Sequence, residues 1–259
     1  MCRLVAYLGA PLTLAHLVFD GSHSLYEQSW APREMLSGTV NADGYGVAWY
    51  AEGRPARLAE LRPIWYDTDL RTTLSSLSSG CLLAGLRSAT SGIPLDRSGV
   101  PPLVLDKWTF VLNGFVPDFC SRHMRALRAE LPDDLYAELR GSSDSETLFL
   151  LAVAAVRGGA TLPEALQRAA EAVYDRVGRE TEAQMNMVLS DGERIAAVRS
   201  GTALQTNSLY FAKRPPFAPN GIVLASERLD PGAVWEAVDG HSWLEIGPNM
   251  EVHGEGLFF

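Results

Sequence analysis

Cys2 stands directly behind the initiator in the run Met1-Cys2-Arg3-Leu4-Val5-Ala6. Removal of Met1 leaves a chain that begins with a thiol and a free α-amine on one residue. A free α-amine has a reference pKa of roughly 7.7–8.0, so it can take a proton near neutral pH. A thiol, at about 8.5, becomes a strong nucleophile once deprotonated. Cys2 therefore offers a nucleophile and a base together. Taken alone, it is equally consistent with an unremarkable position at an apolar N-terminus. The five histidines, His16, His23, His123, His241 and His253, show no metal-ligand spacing, and none supplies an obvious Cys–His dyad. Cys2, Cys81 and Cys120 are widely spaced, with no CxxC pair. A thiolate zinc site and a disulfide framework are both disfavoured. No metal and no cofactor are expected. Cys81, in an apolar run, reads as core. Cys120, in a helix-like segment, reads as core or half-buried.

Four further segments could surround a small polar substrate. Asn41-Ala42-Asp43-Gly44-Tyr45-Gly46 is a glycine-punctuated turn entering a strand. Arg87-Ser88-Ala89-Thr90 ends a buried strand, and Asn113-Gly114 ends another. Ser143-Asp144-Ser145-Glu146 opens a helix. Singly, each has a structural explanation: a turn, a surface cation, a hairpin turn, a helix cap.

The elements that must position these residues follow from periodicity. Residues 2–8 read as a strand ended by Gly9 and Pro11. Residues 45–50 read as a second strand, paired with 57–62 across Glu52-Gly53-Arg54-Pro55. Residues 66–77 have helical spacing. Residues 81–86 and 108–112 are short apolar runs of the buried-strand type. Residues 118–131 read as a helix. Ser143 with Glu146 is a capping-box pattern before a helix that Gly158-Gly159 ends, and residues 161–177 form a second long helix. A hairpin follows, 185–189 and 194–198 around Ser190-Asp191-Gly192. Residues 209–212, 222–225 and 242–246 are further strands. Strands, a helical centre, then strands favour an α+β layered domain over a doubly wound sheet. The loop at 92–102 is the one stretch rich in Gly and Pro.

Bulk properties narrow the partners. The 259 residues suit one large domain or two small ones, with 47% hydrophobic and 20% charged residues. The formal net charge of −9 would repel nucleic acid and anionic membranes alike. The longest apolar run, residues 148–156, is about half of the roughly 20 residues a membrane helix needs. No signal peptide is evident, so the cytoplasm is the expected location. The sequence leaves the oligomeric state open.

Taken together, Cys2, Arg87 to Thr90, Asn113-Gly114 and Asp144-Ser145-Glu146 resemble the class II (N-terminal cysteine) glutamine amidotransferases of the N-terminal-nucleophile hydrolase superfamily. Ser29-Trp30-Ala31-Pro32-Arg33, Thr39-Val40-Asn41-Ala42-Asp43-Gly44-Tyr45-Gly46-Val47 and Gly85-Leu86-Arg87-Ser88-Ala89-Thr90 narrow the resemblance. They are similar to the ergothioneine-pathway branch, the γ-glutamyl-hercynylcysteine sulfoxide hydrolases. Asn186-Met187-Val188-Leu189-Ser190-Asp191-Gly192 and Ala225-Ser226-Glu227 extend it into the C-terminal half. The resemblance implies a four-layer αββα sandwich, one domain over residues 2–259 with Met1 removed, and hydrolysis of a γ-glutamyl amide. It implies Cys2 as nucleophile, its α-amine as base, and Asn113 with Gly114 as oxyanion hole. Arg87 would hold the substrate α-carboxylate, Asp144 its α-ammonium, and Thr90 would bond in the same pocket. Leu112 departs from the pattern, since many members carry His there. The implied partner is a small γ-glutamyl substrate, specifically γ-glutamyl-hercynylcysteine S-oxide. Trp30, Tyr45, Trp65 and Tyr66 are candidates for a cage around its trimethylammonium group. Two rivals stand beside this expectation: a glutaminase delivering ammonia to a partner, and a γ-glutamyl-binding protein without turnover.

Mass spectrometry of the purified protein separates the enzymes from the binding protein. The expected N-terminus is Cys2. A retained Met1 would block the amine and favour binding without turnover.

Overall fold

In a computed structural model, residues 2–89, 94–178, 182–202 and 206–257 are described. The chain begins β1 (Arg3–Thr13), α1 (Leu14–Phe19), α2 (Leu25–Gln28), β2 (Tyr45–Ala51), β3 (Arg54–Glu60) and α3 (Leu70–Ser75). It continues β4 (Ser78–Leu86), β5 (Leu103–Leu105), β6 (Trp108–Phe115), α4 (Met124–Arg128), α5 (Asp133–Tyr136), α6 (Asp144–Arg157) and α7 (Leu162–Val177). It ends β7 (Gln184–Ser190), β8 (Ile195–Gly201), β9 (Tyr210–Lys213), β10 (Gly221–Ala225), β11 (Glu236–Ala237), β12 (Ser242–Ile246) and β13 (Val252–Gly256).

Two antiparallel sheets are stacked. One has the order β11-β9-β10-β1-β4-β2-β3, the other β13-β12-β8-β7-β6-β5. Side-chain alternation sorts each strand between two faces. Leu4, Ala6, Leu83 and Leu224 of the first sheet meet Val111, Val188, Ala197 and Leu244 of the second in the inter-sheet core. Val5, Tyr7, Leu82 and Val223 face the other way, against Leu14, Leu17 and Leu74 of α1 and α3. On the far side, Phe110, Met187 and Val198 pack against Leu150, Leu166 and Val173 of α6 and α7. Helices, sheet, sheet, helices: the α+β chain folds as the expected four-layer αββα sandwich.

Several boundaries differ from the sequence expectation. β1 runs past Gly9 and Pro11, because its register shifts between Leu8 and Leu12. An irregular pairing tolerates a proline that a regular ladder would not. β6 does not stop at Asn113-Gly114; both residues lie within the strand, paired with Asn186 and Met185. The helix expected over 66–77 shrinks to α3 behind a 3₁₀ turn at Ile64–Tyr66. The helix expected over 118–131 breaks into a π turn, Phe119–His123, and α4, with Asp118 left-handed at φ 51°. The box expected at Ser143 is half made. Ser143 Oγ accepts from Glu146 N–H at 3.2 Å, but the Glu146 carboxylate takes the N–H groups of Arg140 and Gly141 instead. The complete capping box is at α7, between Thr161 and Glu164.

Glycines clear the way for the segment that closes the end of the sandwich. A Cβ on Gly85 would come within 2.9 Å of the Pro101 ring, and one on Gly46 within 2.5 Å of the Pro101 carbonyl oxygen. Gly114 is more constrained, since its Cβ would lie 1.8 Å from the Gln184 carbonyl oxygen.

The Phe110 and Phe149 rings, stacked at 5.4 Å, fasten α6 to its sheet. Phe149→Ala should cost about 3–5 kcal/mol and lower the melting temperature by roughly 6–20 °C. Calorimetric melting checks this, and an unchanged transition would contradict the packing role.

Candidate active site

Alternation along β1 turns Cys2 to the inter-sheet side, the side of Leu4. Cys2 is half-buried, and its Sγ lies 3.9 Å from the Ser88 carbonyl oxygen. Burial pushes the thiol up, and the Arg87 charge only partly opposes this. Burial thus disfavours the free thiolate.

Arg87 continues β4 on the same face. Its backbone is held by Gly44 and Asp43: Arg87 N–H donates to Gly44 O at 2.7 Å, and Asp43 N–H to Arg87 O at 3.0 Å. Asp43 Oδ2 also accepts from Ala89 N–H at 2.8 Å. The turn at residues 41–46 therefore sets the position of 87–89. The buried guanidinium donates to the carbonyls of Asp96 at 3.0 Å and Pro94 at 3.3 Å.

Asp144 is the first residue of α6. Its carboxylate accepts from Val116 N–H at 2.9 Å and Ser145 N–H at 2.7 Å. Burial nevertheless pushes its carboxyl up. Cys2, Arg87, Gly114 and Asp144 line one cavity of about 20 Å³, with Leu112 and Pro101 among its walls. That is room for about one water. Leu112 thus presents an apolar wall. Asn113, fully buried, lies beside the cavity, and neither atom of its amide has a partner among the described residues. Thr90 lies outside the described residues.

Other expectations change. Cys120 is exposed rather than buried, with its Sγ 3.5 Å from the Ser142 carbonyl oxygen, because the broken helix turns it outward. Cys81 is core, its thiol pushed up to about 12 by burial. Tyr45 is buried and bonds Asp67, so it leaves the cage candidates. Trp30 remains partly exposed, edge-on to Trp65, which neighbours the exposed Tyr66.

Sequence reasoning missed the group behind Cys2. Arg3, on the opposite face of β1 from Cys2, pairs with Glu227 at 3.0 Å, both almost fully buried. Glu227 also takes His23 Nε2 at 2.7 Å, Arg33 N–H at 2.8 Å and Glu34 N–H at 3.0 Å. Burial raises the Glu227 carboxyl, but His23, the backbone donors and Arg3 outweigh it and hold it below the ordinary range. An ionised carboxylate only accepts, so His23 Nε2 carries the donated proton. The signal was present in Met1-Cys2-Arg3 and Ala225-Ser226-Glu227, but nothing in sequence joins segments so far apart.

A family model described as Glutamine amidotransferases class-II matches residues 13–236. The chain belongs to the class II glutamine amidotransferases. It is 31% identical to a γ-glutamyl-hercynylcysteine sulfoxide hydrolase of Mycobacterium tuberculosis, over 95% of this chain and 93% of that one. With the protein of the same name from Mycolicibacterium smegmatis the identity is 32%, over 95% and 96%. Among solved structures, a glutamine aminotransferase class-II domain protein from Silicibacter pomeroyi aligns with a TM-score of 0.73 and 24% identity, covering 99% of this chain and 100% of that one. The glutamine phosphoribosylpyrophosphate amidotransferase of B. subtilis aligns with a TM-score of 0.67 and 16% identity, covering 98% of this chain and 49% of that one. These two likenesses establish the shared amidotransferase fold.

Glu227→Gln leaves the Arg3 charge buried and unpaired, which should cost about 3–5 kcal/mol at neutral pH. The folded carboxyl is held below its unfolded value. Its contribution is therefore complete above the unfolded value of about 4.3 and fades as pH falls through the folded one. Denaturant melts should show a large gap between wild type and variant at pH 7 that narrows below about pH 4. A gap independent of pH would contradict the ionised pair.

Proposed function

We propose that this chain hydrolyses a γ-glutamyl amide, with Cys2, freed of Met1, as nucleophile. Its substrate is γ-glutamyl-hercynylcysteine S-oxide, cleaved to hercynylcysteine S-oxide and glutamate in the cytoplasm, a step of ergothioneine biosynthesis. One observation carries the reading: a thiol, a buried cation and a buried anion converge on one small cavity. The names of the relatives above support the substrate.

The chemistry follows from the groups. The cavity holds about one water, so the glutamyl head enters as the backbone at Pro94 and Asp96 gives way, and its α-carboxylate replaces their carbonyls on the Arg87 guanidinium. A carboxylate is the stronger acceptor and matches the planar fork. Asp144, already holding two N–H groups, receives the α-ammonium. Arg87 and Asp144 thus fix a zwitterion with its γ-carbonyl at Cys2. The α-amine takes the thiol proton as Sγ attacks, and a thioester forms as the leaving amine is protonated. Water then releases glutamate by the reverse proton path. The Asn113 amide and Gly114 N–H stabilise the oxyanion, and such a donor is worth about 10²–10³ in rate. The hercynyl leaving group carries a permanent cation. The chain's net charge of −9 favours its approach, and Trp30, Trp65 and Tyr66 offer ring faces.

Glutamate release is the assay. Cys2→Ala should abolish release while substrate binding stays measurable; full activity would overturn the mechanism. Arg87→Lys and Asp144→Asn should each lower kcat/KM by about 30-fold or more, about 2 kcal/mol. Activity needs ionised Asp144, and burial raises its carboxyl. Because the α-amine must also be unprotonated, kcat/KM should fall on the acid side with two protonations, the Asp144 one lying above the ordinary Asp value of about 3.9 and absent from Asp144→Asn. The sulfoxide substrate should be used at least about tenfold more efficiently than glutamine, about 1.4 kcal/mol. Equal use of glutamine would reject the hercynyl leaving group and leave the cysteine chemistry standing.

A further inference from the structure

Three asparagines, Asn113, Asn186 and Asn207, are buried together where the inter-sheet core ends. Asn113 and Asn186 face each other across β6 and β7. They form the next inward rung beyond Val111 and Val188, where the apolar inter-sheet core ends. Asn207 covers them. None is more than 1% exposed. A buried amide without partners costs about 1–3 kcal/mol, so such a group calls for a reason.

The amide orientations are fixed by their contacts. Asn186 Nδ2 donates to the carbonyls of Asn207 at 3.1 Å and Ser208 at 2.8 Å. Asn207 Nδ2 donates to the Asn113 carbonyl at 3.1 Å. A carbonyl only accepts, so each Nδ2 is assigned and each Oδ1 is the remaining acceptor. Both Oδ1 atoms are buried and have no partner among the described residues.

The same corner holds the start of β1. Ser208 Oγ donates to the Ser226 carbonyl at 2.7 Å, and Ser226 Oγ accepts Leu4 N–H at 3.0 Å. Asn207-Ser208 thus bridges the two sheets within two residues of Cys2. Gly114, next to Asn113, lines the cavity with Cys2.

We propose that Asn186 and Asn207 are positioning residues for the catalytic base: their Oδ1 atoms accept the two N–H bonds of the neutral α-amine of Cys2. This rests on the cysteine mechanism proposed above, whichever amine leaves. The count of bonds fits. A neutral amine has two hydrogens and one lone pair. Two carbonyl acceptors take the hydrogens and leave the lone pair aimed at the thiol. As Sγ bonds to the γ-carbon, its proton passes to that lone pair and the carbonyl electrons move to the oxygen. As the C–N bond breaks, the ammonium returns one proton to the leaving nitrogen and the amine is neutral again. Charged groups face this corner from three sides: Arg87 and Asp144 from the cavity, Arg3 from the far face of β1, and Arg199, whose Nε donates to the Asn207 carbonyl at 2.9 Å.

Full-length enzyme with processed Cys2 is assayed across pH, with glutamine or γ-glutamyl-hercynylcysteine S-oxide, whichever turns over. Asn207→Asp keeps the shape and places a carboxylate on the ammonium. It should move the acid-side midpoint of kcat upward by about one unit or more, with KM within about threefold. Asn186→Ala and Asn207→Ala should lower kcat about tenfold or more at unchanged KM. A midpoint in Asn207→Asp equal to wild type would overturn the assignment, whatever the change in kcat. So would a rise in KM at unchanged kcat, which would place the amides in the substrate pocket. Activity surviving in Cys2→Ala would remove the underlying mechanism, whereas an inactive Cys2→Ala with an unshifted Asn207→Asp would remove this inference alone.

Discussion

The buried pair between Arg3 and Glu227 holds the first residues of β1 in place. A terminal residue is ordinarily the least ordered part of a domain. Here the residue after Cys2 is tied, on the face opposite the thiol, to a carboxylate that also takes His23 and the backbone of Arg33 and Glu34. Desolvating two charges is costly, and such pairs are weak sources of net stability. What this one supplies is position. It anchors β1 and the segment at 33–34 on one carboxylate, and alternation then delivers Cys2 to the other face.

The site shows a second balance of the same kind. Asp144 and Arg87 are both buried, and each is held by backbone groups: Val116 and Ser145 N–H on one, Asp96 and Pro94 carbonyls on the other. Neither needs the other in order to be satisfied. They can therefore remain apart, a cation and an anion on one cavity, as the proposed binding of a zwitterion requires. The apolar inter-sheet core ends one rung short of Cys2, and the cavity beyond it is lined mainly by polar residues and glycines, with Leu112 and Pro101 as its apolar walls. The glycines at 46, 85 and 114 let backbone approach where a Cβ would not fit.

Much of this was legible in the sequence, for identifiable reasons. Cys2, Arg87, Gly114 and Asp144 sit at the ends of strongly patterned elements, so local signals located them and the fold brought them to one cavity. The layered α+β architecture followed from apolar runs flanking a helical centre. What stayed hidden depends on contacts far apart in sequence. Leu4 meets Ser226, and Arg3 meets Glu227, across more than two hundred positions, and no local pattern encodes either pairing. Asn113-Gly114 resembled a turn because its dipeptide favours one. Its place inside β6 is set by pairing with β7, a tertiary choice over a local propensity. Cys120 was misplaced for a related reason, since the apolar spacing over 118–131 does not reveal the left-handed Asp118 and the π turn that rotates the thiol outward.

The proposed mechanism turns on a covalent bond between Cys2 Sγ and the glutamyl carbonyl carbon during turnover. The most direct test is to quench the reaction in acid and map the peptides by mass. The mechanism predicts a peptide beginning at Cys2 that carries one glutamyl group in thioester linkage and loses it to hydroxylamine. Turnover with an unmodified Cys2 peptide and the adduct on another residue would contradict it.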